Sequence, residues 1–207
     1  TAPEQYVGNY LKFAQPNTPT VSVNGDNNQK AKIRNSKDSA DGITSFPSGW
    51  EYDNTFTWTG ATSNDWNVAT NWDQGEVPNV DSVVVIPADK KVIISGDFTH
   101  SGTITNNGEL TFGENAGPGQ TVTDVYTFTN NGTITNSGKI KVNGNLTNNS
   151  SATIDNSGKL EVGLEAGPNG GTVPTCTFAN SGSLQNAENT SNDNGIIKIK
   201  GTFDNTN

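Results

Sequence analysis

The chain has 207 residues, 30% of them hydrophobic, and a formal net charge of −9. Its twelve Lys and Arg form no basic run, which excludes nucleic acid and anionic membrane as expected partners. No apolar stretch is long enough to span a bilayer, and a lone cysteine, Cys176, excludes an intrachain disulfide. The lack of methionine and the start at Thr1 predict a processed or excised chain.

Residues 1–55 carry no repeat. Asn-, Asp- and Ser-rich stretches alternate there with short β-type runs such as Tyr10-Leu11-Lys12-Phe13 and Val21-Ser22-Val23. Three of the four tryptophans follow in Phe56-Thr57-Trp58-Thr59-Gly60, Asn64-Asp65-Trp66 and Ala69-Thr70-Asn71-Trp72, with Val77-Pro78 and Asp81 after them. Residues 1–80 are therefore read as an irregular N-terminal β capping region that includes the Trp-rich module. A solenoid needs such a region because its end exposes unpaired strand edges.

From residue 81 a six-residue unit takes over, with glycine two positions before an apolar residue. It reads Ser101-Gly102-Thr103-Ile104-Thr105-Asn106, then Asn131-Gly132-Thr133-Ile134-Thr135-Asn136, then Ser137-Gly138-Lys139-Ile140-Lys141-Val142. The sixth position is polar twice and apolar once: His100, Asn106, Phe112; Asn130, Asn136, Val142; Asn148, Asn156, Val162; Asn180, Asn186, Ile199. Three hexads thus make a coil of about 18 residues with three short strands, and side chains alternate in and out along each strand. The prediction is an all-β chain: a parallel β-helix over 81–207, with five to six coils stacked about 4.8 Å apart. Left-handed hexapeptide helices also use 18-residue coils, but the small residue here lies two positions before the aliphatic one rather than after it, which favours the right-handed form. Loop insertions interrupt it at 113–125, 163–175 and 187–193. The Asn-Gly and Ser-Gly corners suggest positive φ at glycine. Asn106, Asn136, Asn156 and Asn186 are expected to stack as one hydrogen-bonded ladder.

The Trp-Thr-Gly, Asp-Trp and Asn-Trp sequence of the module, followed by Val-Pro, a Val-rich strand and the Asn-Gly-Thr-Ile repeats, resembles bacterial secreted cell-surface β-helix proteins. These include large adhesins of the Bacteroidetes type and autotransporter or haemagglutinin-like passengers. The resemblance covers roughly residues 56–207. It implies an extracellular scaffold or adhesin at the bacterial surface, with no catalytic residue. The partners it implies are copies of the chain itself or the rest of a longer surface protein, and surface glycans.

Candidate chemistry is sparse. Trp58, Trp66 and Trp72 form a possible sugar-stacking platform, set against the alternative that they pack the cap onto the first coil. Asp38-Ser39-Ala40 and Asp81-Ser82-Val83 match a short O-glycosylation pattern of Bacteroidetes-like bacteria, which makes Ser39 and Ser82 candidate acceptors if the resemblance holds. Asp53, Asp65, Asp73 and Asp81 are not paired by their spacing, so glycoside hydrolysis is not expected. His100 stands at a ladder position and is read as a corner residue rather than a base. Cys176 aligns with Tyr126 two residues before a core Phe, which places the thiol inward. No cofactor is expected. Calcium has oxygen donors at Asn192-Asp193-Asn194-Gly195 and between Asp73 and Asp81, without EF-hand spacing. Outward Thr-x-Thr pairs (Thr103/Thr105, Thr133/Thr135) match the pattern of ice-binding solenoids but break at Thr153/Asp155. The expected function is a structural or adhesive solenoid, either a segment of a large adhesin or a head-to-tail filament subunit. The alternative is a carbohydrate-binding or polysaccharide-degrading β-helix, which needs basic residues and carboxylates gathered on one parallel sheet.

Overall fold

The computed structural model describes residues 5–7, 10–12, 31–33, 50–52, 54–114, 117–187 and 195–206. The chain divides into two units, 1–54 and 55–207. In the first unit four short strands, β1 (Gln5–Val7), β2 (Tyr10–Lys12), β3 (Ala31–Ile33) and β4 (Trp50–Tyr52), form a sheet in sequence order. β1 and β2 pair antiparallel and the remaining neighbours pair parallel. The run Val21-Ser22-Val23 lies outside the described residues.

The second unit is a parallel β-helix. β5 (Thr55–Thr57) precedes five coils of three strands each. They are β6 (Val83–Ile86), β7 (Lys91–Ile94), β8 (Phe98–His100); β9 (Thr103–Asn106), β10 (Glu109–Phe112), β11 (Tyr126–Asn130); β12 (Thr133–Asn136), β13 (Lys139–Val142), β14 (Gly144–Asn148); β15 (Thr153–Asn156), β16 (Lys159–Val162), β17 (Cys176–Asn180); and β18 (Ser183–Asn186), β19 (Ile196–Ile199), β20 (Gly201–Asn205). The first, second and third strands of successive coils stack into three parallel sheets, with β5 heading the first. The boundary falls at 54/55 rather than at 80/81. β5 pairs in register with β6, so the Trp-rich module belongs to the solenoid.

The hexad phase predicted from sequence is the observed one. Ile104, Ile134 and Ile154 stack in register in the first sheet, and Leu110, Ile140 and Leu160 in the second. Phe98, Phe128, Leu146 and Phe178 do so in the third. Thr133 and Thr135 are exposed while Ile134 between them is buried. Two of the predicted excursions, 113–125 and 163–175, occupy the corner between the second and third sheets. They skip the intervening coil, where only Asn143 separates β13 from β14. Across that coil they meet, because Gly119 N donates to Pro168 O and Val122 N to Thr172 O (both 3.0 Å). The third excursion joins β18 to β19, and residues 188–194 of it lie outside the described residues.

The corner glycines differ from expectation. Only some take positive φ, such as Gly96 (118°) and Gly201 (146°). At Gly132 and Gly158 the requirement is a close approach instead. A Cβ on either would lie 2.0 Å from the carbonyl oxygen of the glycine in the preceding coil. Stacking at β-sheet distance leaves no room for any side chain at that corner.

Two amide ladders run through the stack. Asn106 Nδ2 donates to Asn136 Oδ1 (2.7 Å), Asn136 to Asn156 (2.6 Å) and Asn156 to Asn186 (2.7 Å). This is the ladder expected from sequence. A second joins Asn130, Asn148, Asn180 and Asn205 at 2.8 Å per step. Most of these amides also tie down corner carbonyls, as Asn106 does with Gly108 and Lys139. Asn106, Asn130, Asn136, Asn148, Asn156 and Asn180 are thus buried but hydrogen-bonded, which removes most of the desolvation cost of a polar core column. Asn106 Oδ1 is the exception. Its register partner in the preceding coil is Ile86, which offers no donor.

Candidate functional site

The three tryptophans form a lid on the first coil. In the register of β5 with β6, Trp58 stands above Ile86. The Asp65–Ile93 bridge sets Trp66 above Ile94. Both rings therefore occupy core columns of an incomplete leading coil, and Trp72 closes the space between them. Its centroid lies 4.8 Å from Trp58 and 4.7 Å from Trp66, edge to face in each case. Its Nε1 donates to Trp66 O. The three residues are 1%, 2% and 2% exposed, so no ring face is open to a sugar and the stacking platform is corrected to core packing.

The other sequence candidates are also built into the frame. Ser82 is wholly buried, and its hydroxyl exchanges hydrogen bonds with Asn79, so it is not an accessible glycan acceptor. Ser39 and Asp53 lie outside the described residues, as do Asn192, Asp193 and Asn194 of the calcium candidate. Asp65 Oδ1 accepts from Asn67 N and Asp73 Oδ1 from Thr57 N, while Asp81 N donates to Asn79 Oδ1. No group of three or more His, Cys, Asp or Glu fit to hold a metal occurs among the described residues. Cys176 is buried as expected, and burial raises its thiol pKa. His100 heads the second ladder column, buried above Asn130 and stacked on Phe98. Burial pushes its pKa down, against the opposing pull of the Ser82 and Thr103 backbone and of Asp81.

The outward faces of the three sheets differ in chemistry. The first carries Thr-x-Thr pairs at Thr55/Thr57, Thr103/Thr105 and Thr133/Thr135. They are interrupted by Val83/Val85 and end at Asp155. The third is also Thr-rich, with Thr127/Thr129 beside Asn145/Thr147. The second sheet is charged. Lys91, Glu109, Lys139 and Lys159 share one outward column, and Lys141, Glu161 and Lys198 the next. Two ion pairs cross between coils, Lys91–Glu109 at 3.2 Å and Lys139–Glu161 at 3.8 Å, and Lys159–Glu161 at 3.0 Å lies within β16. Lys198 and Lys200 both pair with Glu165. Burial alone would raise the Glu161 pKa. The hydrogen bond and charge of Lys159, with Lys139 and Lys200 nearby, outweigh it and hold the carboxyl below its ordinary value.

This clustering was not visible in sequence, where the lysines are isolated. The signal that could have found it is the second hexad of each coil, whose third and fifth residues carry the charges. Among the described residues, the second sheet is the face where basic groups and carboxylates are brought together.

Residues 57–169 match a family described as Domain of unknown function (DUF8693), a span of more than half the chain. The chain belongs to this family. The DUF8693 match opens in β5 and closes inside the second excursion, so it takes in the tryptophan lid and the coil strands as far as β16. No curated protein and no solved structure matches the chain. Among the described residues, no helix is long and apolar enough to cross a membrane.

Proposed function

We propose that this DUF8693 chain is an extracellular structural and adhesive β-solenoid of a bacterial surface assembly, either a segment of a large adhesin or a subunit that adds head to tail. The supporting observation is the difference between the two ends of the coil stack. Three indoles plug the leading end. At the other, Leu184, Ile197 and Ile199 are only partly buried and Phe203 is 46% exposed, although each continues a core column. Among the described residues no further strand pairs with the outer edges of β18, β19 and β20, beside these side chains. Together they form a surface that favours a further β-coil, from the same polypeptide or from another copy.

Sedimentation of the purified 207-residue chain over a concentration series tests the subunit form. Concentration-dependent growth that Phe203→Lys abolishes supports head-to-tail addition. A strict monomer, together with an immunoblot band on source cells far larger than this chain, supports the adhesin segment. A monomer with a band no larger than the chain overturns both.

A further inference from the structure

Residues 55–207 contain seven lysines, no arginine and fifteen carboxylates. Six of the seven lysines are collected by the fold on the second sheet. Lys91, Lys139, Lys141, Lys159 and Lys198 point outward from β7, β13, β16 and β19, and Lys200 sits at the corner that follows. They come from positions as far apart as 91 and 200. Three carboxylates, Glu109, Glu161 and Glu165, share the strip with them. The strip therefore holds a surplus of positive charge on a unit whose remaining surface is strongly acidic.

We propose that this strip is a binding face for a linear acidic polysaccharide, a polymer carrying about one carboxylate per sugar. It rests on the adhesive half of the proposed function and is independent of the assembly half, since it lies on the flank of the stack rather than at its end. Three features of the strip select this partner. It is one strand wide, about 13 Å for four residues, and five coils long, about 19 Å between the first and last strand axes. Those dimensions suit a single extended chain rather than a duplex. Its lysines recur at coil spacing, with Lys139 and Lys159 on adjacent coils in one column. Glu109 and Glu161 lie among them and can accept hydrogen bonds from sugar hydroxyls. The same carboxylates repel the dense charge of a nucleic acid backbone.

Crowding of like charge is felt within the strip. Burial first, and then the neighbouring Lys139, lower the pKa of Lys141. Burial does the same for Lys200, with Lys141, Lys159 and Lys139 adding to it against the pull of Glu161. A bound polyanion relieves that repulsion, so ligand and strip favour each other electrostatically.

The test is interferometry of the full chain on immobilised polygalacturonate, with dextran and a single-stranded DNA oligomer as comparisons, from 50 to 500 mM salt. The expected result is binding to polygalacturonate that weakens steeply with salt, with no binding to dextran and weaker binding to DNA. The double variant Lys139→Gln/Lys141→Gln should lose at least tenfold in affinity. Lys198→Gln/Lys200→Gln, at the far end of the strip, should lose a smaller factor, and Lys90→Gln, off the strip, none. Far-ultraviolet dichroism establishes that each variant keeps its β-structure, and the second pair serves if the first misfolds. No polygalacturonate binding, equal binding to dextran, tighter binding to DNA, or unchanged affinity in both folded double variants would each overturn the proposal. Sedimentation of Lys139→Gln/Lys141→Gln keeps this outcome separate from the assembly reading, because both residues lie on β13, away from the end coil.

Discussion

Phe178 and Phe203 occupy the same core column on adjacent coils, yet the first is wholly buried and the second 46% exposed. At the leading end, Trp58 and Trp66 take the equivalent place above the first coil and are covered in turn by Trp72. The difference shows that burial in a solenoid is not a property of the residue or of its own coil. It is conferred by the neighbour. The leading columns are closed because Trp58 and Trp66 each pack edge to face against Trp72. A Phe at the end of a column leaves it open.

That comparison can be broken most severely in the middle, where both neighbours are present. Ile134→Asp places a charge between Ile104 and Ile154 and should cost about 4 kcal/mol or more. Thr133→Asp, one residue away and pointing outward, should stay within about 0.5 kcal/mol. Equal losses in thermal unfolding would refute the in-and-out register. Next in size is the contrast between the ends. Trp72→Ala should destabilise the leading coil by about 3–5 kcal/mol, whereas Phe203→Ala should cost about 1 kcal/mol or less because much of its ring is already in water. Native-state hydrogen exchange resolves the two. Loss of protection in β6 and β7 is expected for the first, and loss confined to β20 for the second.

Gly132→Ala tests the close approach of neighbours directly. The methyl must displace the Gly102 carbonyl, and a destabilisation of about 1–3 kcal/mol is expected from the strain. A neutral effect in denaturant titration would mean that the coils separate more easily than their register suggests.

A pH-dependent effect concerns the head of the second ladder. The folded-state pKa of His100 lies below its unfolded value, so the unfolded chain takes up the proton first as the pH falls. Stability is then full above about pH 6.5 and falls below it, by up to about 1.4 kcal/mol per pH unit, until the folded-state pKa is reached. His100→Asn should flatten the fall in melting temperature below about pH 6.5 and let the new amide donate to Asn130. A slope that persists in the variant would assign the acid sensitivity to the carboxylates instead.

Much of this was legible before the fold was known, because a solenoid repeats one physical problem. The alternation in Thr133-Ile134-Thr135, the ladder from Asn106 to Asn186 and the excursions at 113–125 and 163–175 all follow from a period that survives interruption. The tryptophan module hid its role because its chain departs from the hexad after Trp58. Phe56-Thr57-Trp58 nevertheless has the same apolar-x-apolar form as Val84-Val85-Ile86, and this is the trace of the leading coil. The lysine strip was hidden for the opposite reason. Lys91 and Lys200 are far apart in sequence, and only parallel stacking puts them on one face. The glycines were placed correctly for the wrong reason, since a corner read alone suggests a turn conformation and only the adjacent coil reveals the missing space.

The two asparagine ladders have one more property. All six amide-to-amide bonds point the same way, each donor reaching toward the following coil. Six aligned carboxamide dipoles add rather than cancel, as peptide dipoles do along a helix. The stack therefore has a head and a tail electrically as well as sterically. Two such rods placed end to end match when they point in the same direction and clash when reversed, so any fibre grown from them should be polar, with distinguishable growing tips.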